Sequence, residues 1–445
     1  MGYTPGEQDT IAAIATATGG AIGVVRVSGA QAVNLTSKIF SKDLTKAKGY
    51  SMHHGNVHEV GDTQKIIDEV IVCVFRAPHS YTGEDAVEIT CHGSRYILRE
   101  IMNALCKAGA RPAGPGEFTK RAFTNGKMDL SQAEAVADLI ASENKKQHRL
   151  ALSHLRGGIT TRLDALREEL LHLTSLLELE LDFSDQDLEF ADRTKIYQLT
   201  ATLKEHIKKL IATFKEGNAI REGVPVAILG APNVGKSTLL NALVGDDRAI
   251  VSDIKGTTRD TIEDTVTIDG QLFRIIDTAG LRHTNDTIEK MGIERSMKAA
   301  KKADIVLLVT EPGVPYPTYS PRDGQHVIHI LNKSTEFQAI NGTGLENLKQ
   351  QLLALATHTA SEDRNGSALS TGEQVIISNV RHKSLLELSL DDLQRADDAM
   401  RHDLPTDLVS EDLRLCLEHL GDITGDTITP EETLRNIFSH FCVGK

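Results

Sequence analysis

The chain has 445 residues, a formal net charge of −13 and 40% hydrophobic residues. That length exceeds one ordinary hydrophobic core and predicts about two to four domains at roughly 100–200 residues each. The acidic balance excludes a sequence-independent nucleic-acid coat, which would need an excess of Lys and Arg, but leaves room for a local basic patch that meets RNA.

The first elements read as α+β. The apolar stretch from Ile11 to Val27 follows Glu7 and Asp9 and is broken by Gly19, Gly20 and Gly23, so it reads as strand, turn and strand rather than as a targeting segment. Ile22–Val27 and Val70–Phe75 read as strands, and Tyr96–Ala108 as a helix that stops before Gly109. An α+β domain is therefore expected over residues 1–125. The group His53, His54 and His58 reads as solvated surface. Trp is absent and aromatics are 4%, which argues against a broad base-stacking platform. The five cysteines, Cys73, Cys91, Cys106, Cys416 and Cys442, are odd in number and form no CxxC pair, as expected of free thiols in a reducing cytoplasm. No run is long enough to span a bilayer.

From about Leu130 the period becomes helical. Leu163, Leu166, Leu170, Leu173 and Leu177 fall on one stripe and read as core packing, within a first helical part expected over 126–216. Val224–Leu229 is an apolar run ending in Gly230, followed by helix-like Ser237–Leu243, with further buried strands at Phe273–Ile276 and Ile305–Val309. Strands alternating with helices predict an α/β domain with a mostly parallel sheet over 217–357. Thr357–Gly372 reads as a polar linker. Helical spacing returns at Leu386, Leu390, Leu393, Leu413, Leu417 and Leu420, so a second helical part is expected over 373–445, with the α/β domain inserted into a discontinuous helical one.

The strongest motif is Gly230-Ala231-Pro232-Asn233-Val234-Gly235-Lys236-Ser237, which matches GxxxxGK[ST] between a predicted strand and a predicted helix. Its glycines let backbone N–H groups approach phosphates, and the helix N-terminus favours their charge. Gly235, Lys236, Ser237 and Thr238 form the expected cradle, with Lys236 reaching the β and γ phosphates and Ser237 binding Mg²⁺. Asp277-Thr278-Ala279-Gly280 follows directly on a strand; Asp277 can hold Mg²⁺ through water and the Gly280 N–H can sense a γ-phosphate. Between them, Gly256-Thr257-Thr258-Arg259-Asp260 offers Thr258 to complete the Mg²⁺ shell in a switch loop.

A guanine-reading NKxD motif would follow the next strand. Here Val327–Leu331 leads into Asn332-Lys333-Ser334-Thr335, with Thr in the place of Asp. A carboxylate accepts two hydrogen bonds from guanine, whereas a hydroxyl offers at most one and no charge. By analogy with bidentate base contacts, the change is worth roughly 1–3 kcal/mol of base discrimination. The Ser-Ala motif expected near Gln338-Ala339 is also degraded, and Thr310–Ile330 is short for a strand, helix and strand.

The order PNxGKS, GTTRD and DTAG resembles the translation-factor-like GTPases that include Era and Der. Three further stretches narrow the resemblance. Ser80-Tyr81-Thr82-Gly83-Glu84-Asp85 precedes an alternating run ending in Cys91-His92-Gly93. Pro115-Gly116-Glu117-Phe118-Thr119-Lys120-Arg121 leads into Asn125-Gly126-Lys127-Met128-Asp129-Leu130-Ser131-Gln132-Ala133-Glu134-Ala135. The chain ends in Phe441-Cys442-Val443-Gly444-Lys445. Together these resemble the MnmE (TrmE) family of tRNA modification GTPases over essentially the whole chain.

That resemblance implies GTP hydrolysis in building the 5-carboxymethylaminomethyl group on the tRNA wobble uridine, together with an MnmG-like FAD protein in a hetero-oligomer. It implies a homodimer through the N-terminal domain, which would bind 5-formyl-tetrahydrofolate or a related one-carbon folate. The matching positions are Arg26, Glu88, Lys127 and Lys445, with cations suited to a glutamate tail and a carboxylate suited to a pterin edge. It also implies K⁺ stimulation, with Asn233, Ser252, Ile254 and Thr257 as ligands and the cation standing where an arginine finger otherwise would. Glu289 falls at the water-orienting position. Cys442 reads equally as a nucleophile in the modification chemistry or as a small residue that positions the tail. Two other functions compete. A ribosome-associated switch GTPase would share the phosphate loop but need a basic RNA-binding appendage and no folate site. A folate- or tRNA-binding scaffold with a decayed nucleotide domain draws its support from Thr335.

Overall fold

The computed structural model describes residues 9–182, 193–245, 264–276, 289–361, 375–402, 404–426, 430–439 and 441–444. The chain forms two compact units, residues 1–137 with 424–445, and residues 138–423.

The first unit is built on β1 (Ile11–Ile14), β2 (Ile22–Ser28), β3 (Ser51–Glu59), β4 (Asp62–Phe75), β5 (Ala86–His92) and β6 (Arg111–Pro112), in sheet order β3-β4-β5-β2-β1-β6. The glycine-broken apolar stretch is the expected pair, with β1 antiparallel to β2 and Ile11 opposite Ser28. Strand alternation sends Val25, Val27, Val72, Val74, Val87 and Ile89 to one face. There they meet Leu98, Ile101 and Leu105 of the helix α2 (Arg95–Ala108). The cross-strand register sets Arg26 opposite Glu88, and Glu88 opposite Cys73, in one row on the other face. α1 (Ala32–Ser37), α3 (Glu117–Thr124) and the first two turns of α4 (Leu130–Ala141) complete this part.

The chain's end returns to this unit. The last helix, Glu431–Ser439, brings Phe438 against Leu130 and Ala133, and the Phe438 and Phe441 rings lie 5.3 Å apart. Val443 then bridges to Pro115. Gly444, at φ +95°, passes so close to β1 that a Cβ would stand 2.7 Å from the Ile14 carbonyl oxygen. The stretch expected as one helical part over 373–445 therefore divides, because burial of these aromatic rings draws residues 424–444 onto α3 and α4.

The second unit holds helices and a second sheet. α5 (Lys145–Leu155), α6 (Gly158–Asp182), α7 (Arg193–Ala212) and α8 (Phe214–Arg221) precede the sheet. The leucine stripe of α6 is core as expected, and it packs with Leu203 and Ile207 of α7. The same core takes Leu386 and Leu393 from Val380–Arg401, and Leu413 and Leu420 from Thr406–Thr424.

β7 (Val224–Gly230), β8 (Asp264–Ile268), β9 (Gln271–Ile275), β10 (Ile305–Thr310) and β11 (His326–Leu331) form a sheet in the order β11-β10-β7-β9-β8. Every pairing is parallel except β8 with β9. The buried runs of Val, Ile and Leu in β7 and β10 fit strands covered on both faces. α9 (Lys236–Val244) and α10 (Glu289–Lys302) flank it. The crossover from β10 to β11, residues 311–325, contains no helix. It is tied down by side chains instead: the Gln325 amide donates to the carbonyls of Ala300 and Ala303, both at 2.7 Å, and Tyr319 donates to Ala300 at 3.1 Å. α11 (Leu345–Ser361) buries Leu348, Leu352 and Ala356 at four-residue spacing. It runs through residues 357–361, which corrects the start of the expected linker, since the apolar stripe carries the helix past Leu355.

Replacing Phe438 by Ala should cost about 3–5 kcal/mol, the usual loss for a buried aromatic. The check is denaturant unfolding of the full chain, with native-state proteolysis expected to begin in residues 424–445.

Candidate nucleotide site and a second polar site

β7 delivers the chain to Gly230, which is paired with Val309 so closely that a Cβ would stand 2.4 Å from the Val309 oxygen. The loop then turns through two left-handed residues, Asn233 at φ +63° and Gly235 at φ +93°, before α9 opens at Lys236. Asn tolerates this conformation better than most side chains, and glycine adopts it freely. The first-turn N–H groups of α9 thus face the loop's mouth, as an anion requires. Ser237 and Thr238 lie exposed on that first turn. Lys236 folds back over the loop, its Nζ donating to Gly230 O at 2.8 Å and Ala231 O at 2.7 Å. Burial pushes its pKa down, so a phosphate in the loop would favour the charged form.

A second loop braces the first. Asn332 is buried; its Nδ2 donates to Val234 O at 2.8 Å and its Oδ1 accepts from Ala339 N at 3.0 Å. Lys333, at φ +58°, donates to Asn233 O at 3.0 Å and pairs with Glu311. Asn332 and Lys333 therefore brace the phosphate loop, whose left-handed turn into α9 suits the phosphates of a nucleotide. Ser334 closes a tight turn, its Oγ donating to Leu331 O and accepting from Phe337 N. Thr335 stands exposed in that turn. Ser252, Ile254, Thr257, Thr258, Asp277, Gly280 and Lys445 lie outside the described residues, as does the side chain of Glu289, the first residue of α10.

In the first unit the structure brings Arg26, Glu88 and the C-terminal tail together. Arg26 donates through Nε and a terminal nitrogen to Glu88 Oε1, at 2.9 and 2.8 Å, and through the other nitrogen to Gly444 O at 3.2 Å. Its guanidinium lies 5.6 Å from the ring centres of both Tyr81 and Phe118. Tyr81 is held by Thr119 at 2.9 Å, and burial raises its pKa. Lys127 donates to Pro78 O at 3.1 Å, and Asn125 to Thr82 O at 2.7 Å, which moors the Lys127 loop to the Ser80–Asp85 stretch. Cys442 is exposed, and its carbonyl accepts from Gly116 N at 3.4 Å.

Arg121 is 4% exposed and holds Asp9, Glu84 and Glu117 at 2.6–3.2 Å. Sequence reasoning did not single out Tyr81, Phe118 or Arg121, although each stands within a quoted motif. The histidine group needs a correction. His54 pairs with Glu69 at the surface, but His58 is buried, with Nδ1 on Glu59 O at 2.9 Å. An irregularity in the β3–β4 register at Val57 and His58 breaks the alternation and buries both side chains, while the His58 backbone N–H reaches Ile39 O. All five cysteines are free, and burial raises the Cys91 thiol to about 11.

Two family models match the chain, "MnmE helical domain" over residues 130–442 and "GTP-binding protein TrmE N-terminus" over residues 10–127. The tRNA modification GTPase MnmE of Bacteroides fragilis is 47% identical over 98% of this chain and 100% of its own length. Those of Bacteroides thetaiotaomicron and Porphyromonas gingivalis are 46% and 48% identical over 98% of this chain, covering 100% and 98% of their own lengths. The B. fragilis alignment runs over 475 positions against 445 residues, which leaves at least 30 positions facing no residue here. No helix among the described residues is long and apolar enough to cross a membrane.

A methyl group at position 235 would stand 2.2 Å from Asn332 Nδ2 and would force an L side chain to φ +93°. Gly235→Ala should therefore break the Asn332–Val234 brace and weaken nucleotide binding by at least tenfold. Titration with a fluorescent GTP analogue tests this, with circular dichroism to confirm that the fold survives.

Proposed function

The chain belongs to the MnmE family of tRNA modification GTPases, and from that premise we propose that it is a K⁺-stimulated GTPase that builds the 5-carboxymethylaminomethyl group on the tRNA wobble uridine with an MnmG-like FAD protein. It is a GTP hydrolase with a role in tRNA modification, and GTP with Mg²⁺ is its nucleotide. The observation that carries the hydrolytic half is the braced phosphate loop, with Lys236 folded over it and Asn332 fixing Val234.

In this reading Lys236 takes the β and γ phosphates, while Ser237 and Thr258 complete the Mg²⁺ shell. Asp277 acts on the metal through water and Gly280 reports the γ-phosphate. Bound K⁺ would neutralise charge that builds up between the phosphates in the transition state. Asn233 supports this part: it is exposed at the loop's apex and has no side-chain partner among the described residues, so its amide oxygen is available to a hard cation. Ser252, Ile254 and Thr257 are its proposed co-ligands, and Glu289 orients the attacking water. Thr335 gives a hydroxyl where a carboxylate reads guanine, so selectivity for GTP over ATP should be reduced.

The second polar site supports the folate part. Arg26, Glu88, Lys127 and Lys445 would hold a one-carbon folate such as 5-formyl-tetrahydrofolate in a homodimer formed by the N-terminal domain. Tyr81 and Phe118 beside the guanidinium add aromatic faces suited to a pterin. Cys442 stands at this site through its tail, as nucleophile or as spacer. The work is placed in the cytoplasm.

Hydrolysis of GTP, ATP and XTP measured in K⁺ and in Na⁺ tests the nucleotide half. GTP turnover should be faster in K⁺, and Asn233→Ala should remove that advantage while nucleotide binding persists; an unchanged K⁺/Na⁺ ratio in the variant would refute the ligand role. No hydrolysis of any nucleotide would sink the enzyme reading. For the folate half, calorimetry should show 5-formyl-tetrahydrofolate binding that Arg26→Ala weakens at least tenfold, and equal binding by the variant would discard that site.

A further inference from the structure

We infer that the outer face of helix α5, carrying Lys145 and Arg149 and continued by its C-cap residue Arg156, is a docking surface for the phosphate backbone of tRNA. The inference rests on tRNA being bound, as the proposed function requires.

The segment from Asn144 to Leu163 holds Lys145, Lys146, Arg149, Arg156 and Arg162 and no Asp or Glu, in a chain of net charge −13. Helical periodicity arranges these charges. α5 buries Gln147, Ala151 and His154. At about 100° per residue, Lys145, Arg149 and Arg156 fall within about 40° of one another, on the side of the helix opposite that buried stripe. They span about 16 Å along the axis at about 1.5 Å per residue. All three are exposed, as is His148 beside them.

The cations are also unspent. Among the described residues, none of the three has a side-chain hydrogen bond or ion pair, whereas Arg26, Arg111, Arg322 and Arg395 each meet a carboxylate. Lys146 is instead occupied with Gln271 at 3.2 Å. The helix itself is well anchored. Asn144 caps it by accepting from the N–H groups of Lys146 and Gln147, the Gln147 amide donates to Arg221 O at 3.0 Å, and His154 Nε2 meets Ile376 O at 2.8 Å. A rigid row of unpaired cations on an acidic protein fits a polyanion that is read by charge and spacing rather than by base. The low aromatic content agrees, since no stacking platform is required.

The test is binding of unmodified tRNA to the full chain across a range of salt, using wild type and K145Q/R149Q/R156Q. These side chains are exposed and unpaired, so the fold and the GTP hydrolysis measured without tRNA should not change. Each lost phosphate contact should lower the slope of log affinity against log salt by about one, so the slope should fall by about two to three and affinity at moderate salt at least tenfold. The variant K298Q/K301Q/K302Q, which removes the same charge from another helix, should leave tRNA affinity within about twofold. An unchanged slope and affinity in the α5 variant would overturn the inference, including where that variant has lost an acidic protein partner instead. Equal losses in both variants would show a general charge effect and would also overturn it. Failure of the wild-type chain to bind tRNA at any salt would remove the underlying reading rather than this surface alone.

Discussion

The nucleotide site depends on one close approach, that of the phosphate loop to the loop after β11. The Asn332 amide enters the space that a Cβ at Gly235 would fill, and from there it holds the Val234 carbonyl. Both sides of the contact are needed. Asn332 is buried and spends its other amide atom on Ala339, so its orientation is fixed before any ligand arrives. A preformed loop presents backbone N–H groups to phosphate without ordering itself at the moment of binding, which is where preorganised sites gain affinity. Lys333 extends the same brace through Asn233, the residue proposed to meet K⁺. The phosphate loop and the loop after β11 are thus one mechanical unit.

A comparable economy appears in the first unit, where Arg26 sits at the meeting of a strand, two aromatic rings and the chain's own end. A half-buried guanidinium needs compensation, and it receives it from Glu88 and the Gly444 carbonyl. The tail reaches this point because Phe438 and Phe441 are buried and because Gly444 has no side chain to strike β1. Arg121, more deeply buried, is compensated by three carboxylates, with Asp9 and Glu84 drawn to α3 from distant points of the sequence. Removing one member of such a group strands a buried charge, so the network specifies geometry more than it adds stability.

Much of this was legible in the chain. The glycine-broken run before β2, the leucine stripe of α6 and the apolar strands β7 and β10 are local patterns, and local patterns report which face of an element is dry. The phosphate loop was legible for a related reason, since its conformational demands fall on residues adjacent in sequence. Less legible were His58, whose inward turn depends on the register of β3, and the helix running to Ser361, whose final turns look polar in isolation. The missing helix between β10 and β11 could be suspected from the shortness of Thr310–Ile330. That Gln325 and Tyr319 would hold the crossover instead could not, because their acceptors, Ala300 in α10 and Ala303 just past it, are distant in the chain.

By itself the sequence determined the element types, the phosphate loop and the family resemblance, because periodicity, glycine placement and motif spacing are properties of neighbouring residues. Tertiary structure decided which distant groups meet. It set Arg26 between Tyr81, Phe118 and a carbonyl over four hundred residues away, and it divided the C-terminal helical stretch between two units. It also left Lys145, Arg149 and Arg156 exposed and, among the described residues, without side-chain partners. These outcomes follow from burial and from loop closure over long separations, where each contact depends on many others being made at once.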